Sequence, residues 1–205
     1  MFRTLRLWAA GAACSLLVWH LWPAPAARAG TALVLDLQGL VDGAELCIEG
    51  RVLDTHVELD LRGRPCTRAT VAVARDLLGS AAGNFDVRLP GGVLPDGSGL
   101  VLPGMPNLYL GEEVVLFLTQ ESSAGLRIPV GLAQGKFRVA RDAQGGRTLV
   151  RDDADLELID LASLKKSHAN LAAVYDYAAF MAEVQAAVAH RRALPNSSTP
   201  PGEGK

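Results

Sequence analysis

The stretch that decides the fold is LCIEGRVLDTHVELDLRGRPCTRATVAVA, residues 46–74. In its first part, apolar residues recur among glutamate, arginine and aspartate. In the second part, two sets of residues alternate: Thr67, Ala69, Val71 and Val73 form one set, and Arg68, Thr70, Ala72 and Ala74 form the other. The tetrapeptide Arg62–Pro65 lies between the two parts and has the composition of a turn. Two alternating segments around a turn predict a long β-hairpin.

Further strands are predicted downstream of this hairpin. Phe85, Val87 and Leu89 alternate with polar residues as a third strand. Val114–Leu118 is five consecutive apolar residues, which is typical of a strand that is covered on both faces. Three shorter strands follow, at Leu126–Val130, Lys136–Ala140 and Arg147–Val150. Five to seven short antiparallel strands predict a mainly β protein, and an OB-like antiparallel barrel fits them.

Two helices accompany the predicted strands. A short N-terminal helix is expected over Leu37–Gly43, with Asp36 available as its N-cap. A C-terminal helix is expected to plug one end of the barrel, capped by Asp176 or Asn170. The residues predicted for its apolar face are Val174, Ala178, Met181, Val184 and Val188.

The chain divides into four predicted segments. Residues 1–29 form a signal peptide, residues 30–160 the barrel domain, residues 161–193 a C-terminal helical segment and residues 194–205 a disordered tail. The tail, LPNSSTPPGEGK, is rich in proline, glycine and serine and lacks the apolar residues that packing requires.

The signal peptide is predicted from the start of the chain, MFRTLRLWAAGAACSLLVWHLWPAPAARA. It has a basic beginning, an apolar run over Leu7–Trp22 and a small-residue cleavage pattern ending at Ala29. The apolar run is shorter than the ~20 residues of a membrane span. We therefore expect export to the periplasm or beyond, with no stable membrane insertion after cleavage. A lipid anchor at Cys14 is a less favoured alternative.

Charge excludes some partners. Cleavage removes three arginines and no carboxylate, so the formal net charge moves from −2 to −5. Binding to nucleic acid is not expected, because phosphate contacts require clustered lysine and arginine. All three tryptophans lie in the leader, which leaves few aromatic residues for stacking on bases or sugars.

Two cysteines remain beyond the leader, Cys47 and Cys66. An exported chain with two cysteines suggests a disulfide. Within a straight hairpin, however, the two residues would lie about 40 Å apart at ~3.3 Å per residue. A disulfide requires Cα atoms within about 7 Å. Two small buried thiols are therefore favoured over a bridge.

Five segments carry a resemblance to other proteins. They are LVDGAELCIEGRV (40–52), TVAVARDLLG (70–79), RLPGG (88–92), PGMPNLYLGEEVVLFL (103–118) and VGLAQGKFRV (130–139). Together they resemble a group of uncharacterised exported bacterial β-barrel proteins, a resemblance that implies a compartment and a domain limit. At fold level the layout is also similar to the OB-type barrels of netrin-like domains and tissue metalloprotease inhibitors. Those inhibitors use an N-terminal cysteine, whereas this chain would begin at Gly30.

Motifs that suggest catalysis or phosphate binding do not hold up. Gly131–Lys136 is one residue too short for a phosphate-binding loop, and Phe137 stands where serine or threonine should hold magnesium. A glycine-rich turn between strands is the favoured interpretation. His56 and Ser98 lack the sequence context of a catalytic base or nucleophile. Glu112 and Glu113 are adjacent, so they would point to opposite faces of a strand and are interpreted as a solvated turn.

The function expected from these observations is binding. We predict no catalytic residues, no metal site and no cofactor. The irregular stretch from Gly91 to Met105 is long for a compact domain, and long connections often carry function. It is the predicted site for a protein partner, together with neighbouring strand edges. The candidate partner-binding residues are Gly91, Gly92, Met105, Tyr109, Gln134 and Lys136. A hydrolase whose site the sequence does not reveal, and a structural component of the envelope, remain alternatives.

Overall fold

A computed structural model describes residues 31–79, 81–151, 157–160, 165–168 and 173–193. The helices are α1 (Leu37–Gly43) and α2 (Tyr177–Ala193), and a 3₁₀ helix covers Leu132–Gly135. The strands are β1 (Thr31–Leu33), β2 (Leu46–Leu59), β3 (Pro65–Asp76), β4 (Asn84–Pro90), β5 (Gly92–Val93), β6 (Gly99–Leu100), β7 (Glu113–Leu118), β8 (Lys136–Arg141), β9 (Arg147–Arg151), β10 (Glu157–Asp160), β11 (Lys165–His168) and β12 (Ala173–Asp176). The predicted signal peptide, the disordered tail and the Asn170 cap lie outside the described residues.

A seven-stranded antiparallel sheet dominates the structure, with strand order β12-β9-β8-β7-β2-β3-β4. A second sheet has the order β1-β10-β11, in which β1 is parallel to β10, and β5 and β6 form a separate hairpin. The prediction of a mainly β, antiparallel fold with two helices is confirmed. β4 and β12 are the edges of the large sheet, so strand pairing does not close it into a barrel within the described residues.

The predicted hairpin is present as β2 and β3, which pair from Ile48 with Asp76 to Leu59 with Pro65. Its register shifts twice, at Glu49/Gly50 and at Val52/Asp54. Such bulges bend a strand and increase its twist. β2 can therefore pair with β7 through its first half while it pairs with β3 over most of its length.

Both faces of the sheet are buried, and each face has its own core. On one face, Phe117 and Phe137 pack beneath α1 and α2, in contact with Phe180. On the other face, residues of β2, β3, β4 and β7 pack together with Leu108. All five residues of Val114–Leu118 are buried, and they alternate between the two cores. The prediction of a strand covered on both faces is confirmed.

Both helices begin at capping aspartates: α1 at the predicted Asp36, and α2 at Asp176, which is one of the two caps predicted for it. Asp36 Oδ1 accepts a hydrogen bond from Gly39 N at 2.7 Å, and Asp176 Oδ1 accepts one from Ala179 N at 2.8 Å. The apolar face of α2 is predicted only in part. Its buried residues are Phe180, Met181, Val184, Ala187 and Val188.

Val174 and Ala178 are wrongly predicted for the buried face of α2, since both are exposed. The chain up to Asp176 pairs with β9 as strand β12, so the helix begins later than its apolar pattern suggests. The predicted helical segment 161–193 accordingly contains β11 and β12 ahead of α2. No helix among the described residues is long and apolar enough to cross a membrane.

Both described cysteines are free and buried, so the alternative of a Cys47–Cys66 disulfide is not realised in the structure. Cys47 pairs with Phe117 in the sheet, whereas Cys66 pairs with Glu58 near the other end of β2. The two thiols belong to separate apolar clusters. Burial raises the pKa of both thiols above the ordinary value, which disfavours the reactive thiolate.

Candidate functional site

The connection between β4 and β7, residues 91–112, begins in close contact with strands β2 and β3. Gly91 and Gly92 have backbone φ values of 99° and 142°, which residues with a side chain rarely adopt. A Cβ on Gly92 would lie 2.7 Å from Val57 Cγ1, so a side chain there would clash with β2. Thr67 Oγ1 also donates a hydrogen bond to Gly91 O at 2.9 Å. These two predicted binding residues therefore contribute backbone geometry rather than contact surface.

The same connection exposes several apolar side chains. Val101 is 79% exposed, Leu110 is 70% exposed and Tyr109 is 62% exposed. Val93 and Leu100 face solvent on the β5–β6 hairpin. Five of the twelve large apolar residues that are exposed in the described part of the chain thus lie between residues 91 and 112. Concentration of apolar side chains at a surface is typical of an interaction site.

A buried ion pair holds the end of this connection against the sheet. Lys136 Nζ lies 2.8 Å from Glu112 Oε1 and 2.9 Å from Glu112 Oε2, and it donates to Asn107 O at 2.5 Å. The ammonium group also lies 5.5 Å from the centre of the Tyr109 ring, within cation–π range. Lys136 and Tyr109, predicted from sequence as separate candidates, are therefore brought together.

Glu112 differs from the sequence interpretation. Its side chain is only 7% exposed because it pairs with Lys136, and its Oε2 accepts a hydrogen bond from Tyr109 N at 3.1 Å. The adjacent Glu113 instead forms ion pairs with Arg51 and Arg141. Partial burial raises the pKa of Glu113, but these arginines outweigh it and hold the pKa below its usual value. The two glutamates are thus held in three structural ion pairs rather than in a solvated turn.

A cavity of about 260 Å³ adjoins this ion pair, between the connection and β8 and β9. We call it the Lys136 cavity. Its lining residues are Gly104, Met105, Pro106, Asn107, Tyr109, Glu112, Ala133, Lys136, Arg138 and Val150. Three predicted candidates, Met105, Tyr109 and Lys136, line one space, although Lys136 lies far from the other two in sequence. Arg138 also lines it, and the sequence offered no reason to single it out.

Gln134 is wrongly predicted as a group that projects toward a partner, because it is completely buried. Its amide nitrogen donates to Leu33 O at 2.8 Å, and its amide oxygen accepts from Leu35 N at 3.0 Å. The side chain thereby satisfies two backbone groups of the N-terminal segment, as a neighbouring strand would. Gly131–Lys136 is a turn, as predicted, but it does not lie between two strands. Of the predicted strand Leu126–Val130, the structure shows only an isolated bridge of Pro129 with Leu118, and the one-turn 3₁₀ helix Leu132–Gly135 leads from this loop into β8.

A second buried carboxylate, Glu49, was not identified from the sequence. Tyr177 donates its hydroxyl hydrogen bond to this carboxylate, and Arg75 Nε donates to Glu49 Oε2 at 2.6 Å. Arg147 donates to the other oxygen, and its guanidinium carbon lies 3.6 Å from the centre of the Tyr177 ring. This cluster joins β2, β3, β9 and α2. Both oxygens of the Glu49 carboxylate are paired, although Arg147 Nε is buried without a hydrogen-bond partner among the described residues, and we interpret the cluster as a structural lock.

A hydrolase would require His56 to lie next to a carboxylate inside a cleft. His56 has carboxylate neighbours, but it is exposed. Its Nδ1 lies 3.0 Å from Asp54 Oδ2, and its Nε2 lies 3.4 Å from Glu58 Oε2. Both ring nitrogens thus face carboxylates on an exposed strand. A hydrogen bond from Arg88 lowers the pKa of Glu58, which keeps that carboxylate charged. Ser98 donates to Asp96 Oδ1 at 2.6 Å within a surface turn, so it is not paired with a base there.

Comparisons with family models, curated proteins and solved structures find no match for this chain. Among the described residues, no cluster of three or more histidine, cysteine, aspartate or glutamate side chains could hold a metal ion. The site must therefore be interpreted from its own geometry.

Proposed function

We propose that this chain is an exported, non-enzymatic domain that binds a protein partner through the connection at residues 91–112. The observation that carries the proposal is the concentration of exposed apolar side chains on this connection. The partner would cover the five exposed apolar side chains of the connection, which are Val93, Leu100, Val101, Tyr109 and Leu110. The buried Lys136–Glu112 pair supports the proposal, because a connection that is held in place loses less conformational entropy on binding.

Cross-linking tests this proposal directly. A photo-activatable amino acid placed at position 101 should capture a protein in the native envelope. The same group at Val174 should not, since Val174 is similarly exposed but lies on the edge strand β12. Capture from both positions alike, or from neither, would contradict the proposal. Abundance in the envelope without any captured partner would favour the structural alternative.

Substitutions provide the quantitative test once a partner is captured. The triple variant Val93→Ser, Val101→Ser and Leu110→Ser should weaken binding by about tenfold or more, because it removes apolar contact area. Val174→Ser is the matched control and should leave the affinity unchanged. Equal affinities for the triple variant and the control would show that the connection is not the contact surface.

Export is proposed from the predicted leader, residues 1–29. N-terminal sequencing of the protein purified from its own cells should begin at Gly30. A native chain that still begins at Met1 and is found in the cytosol would exclude an envelope partner.

The finer fold is also a proposal, namely that the large sheet curls into a partly open OB-like barrel. Two hydrogen bonds from residues 126–130 support this closure, one to the edge strand β4 and one to the central strand β7. Arg127 N donates to Arg88 O in β4 at 2.9 Å, and Val130 N donates to Phe117 O in β7 at 2.8 Å. Residues 126–130 would thus bridge the two strands. Hydrogen exchange at the Arg127 amide should then be as slow as within β7, and exchange at the rate of an open loop would contradict closure.

A further inference from the structure

We infer that the Lys136 cavity binds a carboxylate group of the partner polypeptide, with Arg138 as the group that recognises it. The inference rests on the proposed partner-binding function and assigns the chemistry of one subsite within it. Three features of the cavity support it: a cation without a partner among the described residues, an ion pair beside it whose charges neutralise each other, and a small volume with apolar walls.

Arg138 is the unpaired cation. It lies on β8 between Val114 of β7 and Val150 of β9, so its position is fixed by two strands. Its side chain is exposed and lines the cavity, and it has no ion-pair or hydrogen-bond partner in the part of the chain that is described. A guanidinium group presents its donors in a planar fork that matches a carboxylate.

The neighbouring ion pair leaves this charge uncompensated. Lys136 donates hydrogen bonds to Asn107 O and to Glu112 Oε2, and its Nζ lies 2.8 Å from Glu112 Oε1. Lys136 and Glu112 therefore neutralise each other, and the cavity retains the single positive charge of Arg138. An anion is favoured there, although the chain as a whole carries a net charge of −2.

The size and walls of the cavity limit the anion to about one amino-acid residue. Its volume of about 260 Å³ lies below the range of about 300–1,000 Å³ that is typical of pockets for larger ligands. Met105, Pro106, Ala133 and Val150 provide apolar walls that an inorganic anion would leave without contact. A carboxylate that carries a short apolar group, such as a C-terminal valine, would use both the guanidinium and the walls.

The experiment titrates the processed protein with small probe molecules and monitors its backbone amide signals by NMR. N-acetyl-L-valine should bind saturably and shift the amide signals of residues 105–112 and 136–138. N-acetyl-L-valinamide, which lacks the charge, should not. N-acetyl-L-aspartate amide carries its carboxylate on a side chain. Tighter binding of this third probe would identify an acidic side chain, rather than a chain terminus, as the source of the carboxylate.

Two variants test the assignment to Arg138. Arg138→Gln should weaken N-acetyl-L-valine by about tenfold or more, whereas Arg192→Gln, which removes an equal charge at the exposed end of α2, should not. Val150→Phe should fill the cavity and abolish binding, with an unchanged far-UV CD spectrum to show that the fold is kept. The inference is overturned if neither carboxylate probe binds, if the amide probe binds equally well, or if Arg138→Gln has no effect.

The outcome is separable from that of the proposed function. Cross-linking from position 101 that persists in the Arg138→Gln variant, combined with no probe binding, would leave the partner-binding function standing without this subsite. Probe binding without any captured partner would leave the carboxylate site standing and remove the proposed function.

Discussion

At the scale of single residues, Glu49 makes the largest departure from what its neighbours in sequence suggest. It stands in an otherwise apolar run, and its carboxylate is only 7% exposed. A buried charge is tolerated only where it is paired and hydrogen-bonded. Arg75, Arg147 and Tyr177 meet that requirement from three different elements. The cluster therefore depends on the complete fold, and it fixes α2 against the sheet.

Replacing Glu49 should be costly. Glu49→Gln keeps the size of the side chain but leaves the partly buried Arg147 without its charge partner, so we expect a loss of about 2 kcal/mol in unfolding free energy. Urea unfolding followed by far-UV CD provides the measurement. Glu183→Gln on the exposed side of α2 is the control and should change stability by less than about 0.5 kcal/mol. Similar losses in both variants would argue against the lock.

Asp86 makes a prediction about pH. A hydrogen bond from Thr70 and the guanidinium of Arg68 hold the pKa of Asp86 below its usual value. A carboxylate with a lowered pKa in the folded state stabilises the fold above its unfolded pKa of about 3.9. That contribution is lost as the pH falls through the lower, folded pKa.

The stability difference between the wild type and Asp86→Asn should therefore be constant above about pH 5 and shrink as the pH falls below about 4. Urea unfolding at a series of pH values measures it. Thr70→Val removes the largest cause of the shift, so the stability lost on acidification should be smaller in this variant, and its loss should be complete at a higher pH than in the wild type. A difference between the wild type and Asp86→Asn that does not depend on pH would refute the assignment.

At the scale of elements, the bend of β2 depends on Gly50. A Cβ at this position would lie 2.6 Å from Val71 Cγ1 and would press against the carbonyl oxygen of Ala72. The close approach occurs at the register shift between Glu49 and Gly50. β2 and β3 can therefore keep this bulge only while position 50 lacks a side chain.

Gly50→Ala should destabilise the protein by about 2 kcal/mol, because the added methyl group forces the backbones of β2 and β3 apart in a close-packed core. Thermal unfolding followed by CD provides the measurement. Gly63→Asn is the control: Gly63 has a φ of 71° and nothing within 4 Å, and asparagine tolerates this conformation. A Gly50→Ala variant as stable as the control would show that the bulge can relax.

At the scale of the whole molecule, the two cores are mechanically connected. β7 contributes Val115 and Phe117 to the core beneath the helices and Val114 and Leu116 to the opposite core. Within the core beneath the helices, Arg191 of α2 links the two helices by donating hydrogen bonds to Val41 O at 2.7 Å and to Ala44 O at 2.5 Å, at the end of α1. Loss of either core would expose one face of the shared strand β7. We therefore expect both cores to unfold together.

Unfolding should be a single transition by far-UV CD and by the tyrosine fluorescence of a Tyr109→Phe background, which reports on Tyr175 and Tyr177 near α2. Phe180→Ala in the helix-side core and Leu89→Ala in the opposite core should each cost about 2–5 kcal/mol. Each variant should lower the midpoint seen by both probes equally. An early fluorescence transition in Phe180→Ala alone would show that α2 detaches from an intact sheet.

Elements that depend on interactions within a few residues could be predicted from the sequence alone. Alternation over residues 46–74 predicted the β2–β3 hairpin, the apolar run Val114–Leu118 predicted a strand buried on both faces, and Asp36 and Asp176 predicted the helix starts. Periodicity and capping act over a few residues, so one sequence is enough to recognise them. The same local reasoning misplaced Val174, because pairing of β12 with β9 overrode a helical pattern, and it predicted burial of Ala178, which lies in α2 but is exposed.

The residues that form the site could be identified only from the tertiary structure. Tyr109, Lys136 and Arg138 meet at one cavity because the 91–112 connection folds back over β8, and no spacing rule foretells that approach. It also determined that Gln134 serves the N-terminal backbone and that Glu49 and Glu112 are buried with cations. Charges tolerate burial only beside their partners, and those partners come from strands and loops that lie far apart in the chain.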